Sequence, residues 1–395
     1  MWFGIWALRV ADAVVMGKVI YHTFGDELLL RKCLLQGARI QNEDGSIPGT
    51  GPERNAFLLP DFCAHWLLGV HEHWRYTKDR AFAEEAWPAV ERLLGWFLAQ
   101  EDENGLFAGA DRDGWWCFID WADYIDKRDR VTVVSCFYYK ALQSAAEMAR
   151  DLGMPDRAAE WTERAVRLRA SIRANLRQPG SLVFADCRGP EGLSPSVTAQ
   201  TNFAAMWSGV MDDEEAERFL DEWYDAGRLP GLKGAFFYHV VLEALIERGR
   251  TERALAIMRS YWGGMLERGA TTWWETFDPA TPACTIPSPY QGNTPTYLID
   301  NIPVSACHGW GASPSYILTQ YVLGVDLSRL GDGIVRLHPR PGDLEWAEGA
   351  VPTRFGAIRA AWRRADDGSI RIEAEVPETV RVEAPESVKL VVTRR

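Results

Sequence analysis

Residues Arg130 to Leu152 read RVTVVSCFYYKALQSAAEMARDL, and beyond the break Gly153-Met154 the chain resumes from Pro155 to Arg177 as PDRAAEWTERAVRLRASIRANLR. Both runs place apolar residues at three- and four-residue spacing, and Gly and Pro punctuate the turn between them, so the stretch predicts an αα-hairpin. Working outward, the same pattern predicts helices over 6–23, 26–42, 58–77, 79–102, 130–152, 155–177, 196–209, 212–225, 235–249, 251–268 and 304–323. Thr77-Lys-Asp79 and Arg248-Gly-Arg250 are further short turns of the same kind. A ring of hairpins needs an even number of helices, so a count of eleven implies that one is miscounted or lies outside this chain.

After Gly324 the texture changes to two-residue alternation bounded by Gly, Pro and Asp, in Ile334–His338, Gly349–Pro352, Gly356–Trp362, Ser369–Val376, Val380–Glu383 and Ser387–Thr393. The expected architecture is mainly α. A helical-hairpin domain spans 1–325, and a small antiparallel β-sandwich follows over 326–395.

The formal charge of −12 and isoelectric point near 5.2 go with no basic stripe, which argues against nucleic acid as a partner. No apolar run is long enough to cross a membrane, and the first residues lack the pattern of a signal peptide, so a soluble, cytoplasmic protein is expected. Seven cysteines (33, 63, 117, 136, 187, 284 and 307) without a C-x-x-C pair read as reduced and mostly buried thiols. The 18 Trp stand out, because Trp beside carboxylates suits a pocket that stacks on a sugar face.

The candidate chemistry lies in four linkers rich in Trp, Gly, Pro and Asp: Gln41–Phe57, Asn104–Arg130, Pro179–Pro195 and Ala270–Pro303. Glu275, in Ala270-Thr-Thr-Trp-Trp-Glu-Thr-Phe277, is a loop carboxylate walled by aromatics, as a general base or acid requires. Pairing with an arginine or capping of a turn is the competing structural reading. Asp120, among Trp115, Trp116 and Trp121, could hold sugar hydroxyls or cap a short helix. His308, in Ser305-Ala-Cys-His308-Gly-Trp310, could donate to a hydroxyl or be an ordinary core histidine. His71-Glu-His73 sits two apart on a helix and lacks the i, i+4 metal grip. Gly49-Thr-Gly51 is a turn and no phosphate cradle, and no G-x-S-x-G elbow is present.

Taken together these stretches resemble the bacterial α-L-rhamnosidases and their six-hairpin glycosidase relatives. The resemblance rests on Gly269-Ala-Thr-Thr-Trp-Trp-Glu275, Phe118-Ile-Asp-Trp121, Ser305-Ala-Cys-His308 with Gly311, and Pro339-Arg-Pro-Gly-Asp-Leu-Glu-Trp346 with Gly349 and Pro352–Gly356, in that family's order. It implies an (α/α)6 barrel followed by a β-sandwich, and inverting hydrolysis of terminal α-L-rhamnosides with Glu275 as general base. Asp120 matches the carboxylate of a Gly-Asp-Trp motif, with Ile119 in place of the Gly, and His308 matches a substrate-contacting His. The substrate-binding candidates are then Asp120 and His308, together with Trp115, Trp116, Trp121, Trp274, Trp2 and Asp61. No metal ion or cofactor is implied.

The family's general acid precedes a stretch whose counterpart here is Met1-Trp-Phe-Gly-Ile5, so the acid loop is expected upstream of Met1, with the missing helix. The expectation is of an N-terminally incomplete form that binds sugar and turns it over poorly. Of Asp120, Asp61, Glu53 and Asp12, none is expected to replace the acid well. Two other readings stay open: a non-catalytic carbohydrate-binding fragment, and a polysaccharide lyase on a similar toroid recruiting Tyr238-His239 and Arg54. Sugar, linkage, aglycone and oligomeric state are left open.

Overall fold

Helix α5 (Thr132–Asp151) buries residues all round its surface, whereas α6 (Pro155–Asn175) buries Ala158, Trp161, Ala165, Leu168 and Ile172 and turns its charged residues outward. That 3-4-3-4 spacing is one stripe of an amphipathic helix, so α5 is the inner and α6 the outer member of a hairpin. The turn closes because Gly153 takes φ +80°, open to glycine at little cost, and Pro155 opens α6 at its first turn.

The computed structural model describes residues 10–51, 53–278, 286–288, 292–294 and 305–394. The other helices are α1 (Val10–Thr23), α2 (Leu28–Arg39), α3 (Pro60–Thr77), α4 (Arg80–Ala99), α7 (Ala199–Ser208), α8 (Asp213–Phe219), α9 (Tyr238–Glu247), α10 (Thr251–Glu267) and α11 (Ser313–Ile317). Each expected helical segment contains one of them. Two are irregular. The segment expected over 212–225 passes from α8 into a π-helical turn at Leu220–Tyr224. The one expected over 304–323 is a 3₁₀ turn at Gly309–Ala312, then α11, then a π-helical turn at Leu318–Val322. Gly309, Gly311 and Pro314 break the register that a single helix would need.

The described residues fall into two units. The first takes 10–14, 32–71 and 81–241; the second takes 15–31, 72–80 and 242–394. In the first, α5 packs on α6 and α7, and a short sheet joins β1 (Arg130–Val131), β2 (Cys187–Gly189) and β3 (Gly192–Leu193). Asp212 and Glu215 form a capping box on α8, and Arg173 and Arg177 of the hairpin clasp Glu215.

In the second unit, β4 (Ile286–Ser288) pairs with β5 (Gly292–Thr294). The C-terminal strands are β6 (Val325–Asp326), β7 (Ile334–Leu337), β8 (Trp346–Val351), β9 (Ile358–Arg364), β10 (Ile370–Val376), β11 (Arg381–Glu383) and β12 (Val388–Arg394). They form two sheets, in the orders β12-β10-β9-β8 and β11-β7-β6. The antiparallel expectation holds for β8–β9, β9–β10 and β6–β7, but β10–β12 and β7–β11 run parallel. In each parallel pair the partner strand returns through a connection rather than a tight hairpin. Ile358, Ala360 and Trp362 of β9, with Ile372, Ala374 and Val376 of β10, give the four-stranded sheet its buried face. Also in this unit, the part-buried Lys18 sets its ammonium 2.7 Å from the buried Glu243, whose carboxylate accepts the Tyr316 hydroxyl at 2.8 Å. Burial works to lower the Lys18 pKa, but Glu243 and Glu72 outweigh it and the net shift is upward.

Cys63, Cys117, Cys136 and Cys187 are buried free thiols, Cys33 is half-buried and Cys307 exposed, while Cys284 lies outside the described residues. Among the described residues no helix is long and apolar enough to cross a membrane.

Candidate active site

Glu275 sits where two loop segments of the second unit are sewn together. Its backbone N–H donates to the Ser305 carbonyl at 2.9 Å, and its Oε2 accepts the Ser305 N–H at 2.8 Å. The Trp310 indole donates to the Glu275 carbonyl at 3.0 Å, and the His308 N–H to the Trp273 carbonyl at 2.8 Å. Thr272 Oγ1 donates to the Ala306 carbonyl, and the Trp262 indole to the Gly311 carbonyl. His308 Nδ1 stands 3.6 Å from Glu275 Oε2, and its ring lies 4.2 Å from that of Trp310. The carboxylate is 7% exposed. Trp274 is buried beside Phe277 at 5.8 Å. The sequence marked Glu275, Trp274 and His308. It missed Ser305 as an anchor, although that serine opens the His308 motif, because a backbone donor carries no side-chain signature.

Asp120 belongs to the first unit. Its Oδ1 accepts the Trp121 N–H at 2.9 Å and its Oδ2 the Gln200 amide at 3.0 Å. It is 1% exposed, and burial pushes its pKa up to about 6 against the opposing pull of the Gln200 bond and Lys127. The preceding Ile119 has φ +57°, a left-handed conformation that is strained for a β-branched residue. Glycine, which the resemblance places there, would adopt it freely. What holds it is Asp61, whose Oδ2 accepts the Ile119 N–H at 2.8 Å and whose Oδ1 accepts that of Phe118 at 3.3 Å. The Lys127 ammonium adds a bond to the Phe118 carbonyl at 2.6 Å. Asp61 has no exposed surface, and burial raises its pKa to about 6.

The aromatic neighbours divide. Trp116, Phe118 and Trp121 form one cluster, with Trp116–Trp121 at 5.7 Å and Phe118–Trp121 at 5.2 Å edge to face. Trp115 instead packs against Trp96 and Phe107 under the Arg112 guanidinium. It lines a separate cleft of about 470 Å³ with Asn42, Asp44, Arg54 and Asn55. Trp2 lies outside the described residues. His71 meets Glu147 at 3.2 Å, while His73 bonds the Tyr21 hydroxyl at 2.7 Å, so the two histidines serve different neighbours.

Helical hairpins lead into a strand-rich C-terminal part, and a loop glutamate is held there by a backbone N–H. Residues 9–322 match the model of the bacterial alpha-L-rhamnosidase 6 hairpin glycosidase domain, and 324–392 that of the bacterial alpha-L-rhamnosidase C-terminal domain. The chain belongs to this bacterial α-L-rhamnosidase family. An alpha-L-rhamnosidase of Streptomyces avermitilis is 22% identical over 377 residues, covering 93% of this chain and 34% of that protein. Among solved structures, the GH78 family rhamnosidase of Bacillus sp. GL1 superposes with a TM-score of 0.83 at 29% identity, over 98% of this chain and 40% of that one. The Streptomyces avermitilis enzyme complexed with L-rhamnose superposes at 0.74 and 19% identity, over 95% and 34%. This chain thus spans between a third and two-fifths of the length of these relatives. The expected fold class, helical hairpins followed by a C-terminal β-domain, is the family's.

Proposed function

We propose that this chain is a glycoside hydrolase domain of the α-L-rhamnosidase type that cleaves terminal α-L-rhamnosides with inversion, and that Glu275 is its general base. The observation that carries the reading is the double tie between Glu275 and Ser305, in main chain and side chain. A base must hold one oxygen still while it takes a proton from water, and the Ser305 N–H on Oε2 does this without supplying a competing proton of its own.

Water activated by Glu275 attacks the anomeric carbon from the face opposite the leaving group, and a second carboxyl protonates the departing oxygen. In inverting enzymes the two lie roughly 6.5 to 9.5 Å apart. His308, beside Glu275, donates to a sugar hydroxyl, and Asp120 accepts from sugar hydroxyls next to the apolar faces of Trp116 and Trp121. Support comes from the family match and from two relatives, of Streptomyces avermitilis and Klebsiella oxytoca, solved with rhamnose.

The test is hydrolysis of a nitrophenyl α-L-rhamnoside by the full chain, with the product anomer followed by NMR. The β-anomer should appear first, and Glu275→Gln should lose turnover while folding normally. Turnover retained in that variant would remove Glu275 from the mechanism.

A further inference from the structure

We propose that Gln200 is a positioning residue: its side-chain amide sets the orientation of the Asp120 carboxylate for a pair of sugar hydroxyls, and Tyr124 with the Gly231 carbonyl locks that amide in place. The proposal rests on Asp120 being a sugar-binding carboxylate.

Gln200, at the start of α7, is fully buried. Its Nε2 spends both hydrogens, one on Asp120 Oδ2 at 3.0 Å and one on the Tyr124 hydroxyl at 3.0 Å. Tyr124 in turn donates to the Gly231 carbonyl at 3.1 Å. The Gln200 Oε1 is buried and has no hydrogen-bond partner among the described residues. An orphaned buried acceptor is costly and calls for a reason. Flipping the amide would turn that oxygen toward the Asp120 carboxylate, acceptor against acceptor. The fold therefore leaves an acceptor unsatisfied in order to aim donors at Asp120.

Two further features fix the same carboxylate. Gly234 packs so closely that a Cβ there would fall 1.6 Å from Asp120 Oδ1, so any larger residue at this place would push the carboxylate aside. On the other side, Ile119 is held left-handed by Asp61. Backbone strain persists only where the surroundings over-determine it, and such places cluster at ligand-binding sites. A purely structural aspartate needs neither the strain nor the orphaned amide oxygen.

A carboxylate that accepts from hydroxyls must be ionised, and burial opposes this. Gln200 is the neutral side-chain donor to it, Lys127 the nearby cation, and Tyr124 the neighbouring phenol, itself within the influence of Asp123 and Asp186. Removing the Gln200 donors raises the Asp120 pKa, so the acid limb of sugar binding moves to higher pH.

The experiment is calorimetric titration of the full chain with L-rhamnose between pH 5 and 8. Gln200→Met, which keeps the volume and removes the donors, should weaken binding about ten-fold at pH 7 and shift the acid limb upward. Tyr124→Phe, which deletes one oxygen, should shift the limb the same way by less and covers the case in which Gln200→Met fails to fold. In an Asp120→Asn background neither change should weaken binding further. If Asp120→Asn binds L-rhamnose as well as the parent, Asp120 is not the sugar carboxylate and the role of Gln200 falls with it. If Asp120→Asn abolishes binding while Gln200→Met and Tyr124→Phe leave affinity and pH limb unchanged, the sugar role stands and the positioning role is overturned.

Discussion

Asp61 holds Ile119 in a left-handed conformation: a carboxylate with no exposed surface accepts the N–H of a β-branched residue at 2.8 Å, where φ is +57°. Asp61→Asn keeps the shape but turns an amide N–H₂ toward one of two backbone donors. We expect a loss of about 1 to 3 kcal/mol, read by urea unfolding.

The same substitution carries a pH signature. Burial raises the folded pKa of Asp61 from 3.8 to about 6, so its contribution is fully present below 3.8 and is lost as pH rises through 6. The deficit of Asp61→Asn should therefore be larger at pH 4 than at pH 8. An equal deficit at both would show that the carboxyl ionises normally in the fold.

Gly234→Ala forces a methyl against Asp120 Oδ1, and the carboxylate can give way only by breaking its bonds to Trp121 and Gln200. The variant should unfold earlier by about 2 kcal/mol or more. An unchanged thermal midpoint would contradict the close approach.

The two tryptophan groups should separate by assay. Trp121→Ala should weaken L-rhamnose binding about ten-fold with little change in stability, since the ring belongs to the Trp116–Phe118–Trp121 cluster that flanks Asp120 in the chain, while the N–H that holds the Asp120 carboxylate is kept. Trp115→Ala should cost about 2 kcal/mol of stability through its packing on Trp96 and Phe107 and leave affinity nearly unchanged.

Lys18→Met removes the ammonium beside the buried Glu243 carboxylate, and should destabilise the chain by about 3 kcal/mol at pH 7. Adding Glu243→Gln, which removes the buried charge, should restore most of that. Comparison of the single and double variants by chemical denaturation checks it.

The hairpins were legible in the sequence because helix period, glycine turns and Pro155 act locally, and α6 shows the apolar stripe almost unbroken. The parallel partners of β10 and β7 were not, since alternation tells which side of a strand is buried and nothing about the direction of its neighbour. Glu275 stood out through its aromatic setting. Ser305, Gln200, Tyr124 and Gly234 did not: each acts through contacts thirty or more positions away, and their residue types are common in turns and helix starts. Trp115 and Trp121, close in sequence and alike in type, part company only when the chain is folded.

Arg340, in the link between β7 and β8, donates to the Ile246 carbonyl at the end of α9 at 2.6 Å. Asp343 pairs with Arg259 of α10, and the Trp362 indole reaches the Val322 carbonyl at 2.8 Å. The seam between the two family segments, near residue 323, is therefore a border in inheritance but not in folding. A strand domain grafted from a distant relative would have to bring matching arginine, aspartate and tryptophan contacts with it, so the two segments are expected to travel together as one exchangeable module.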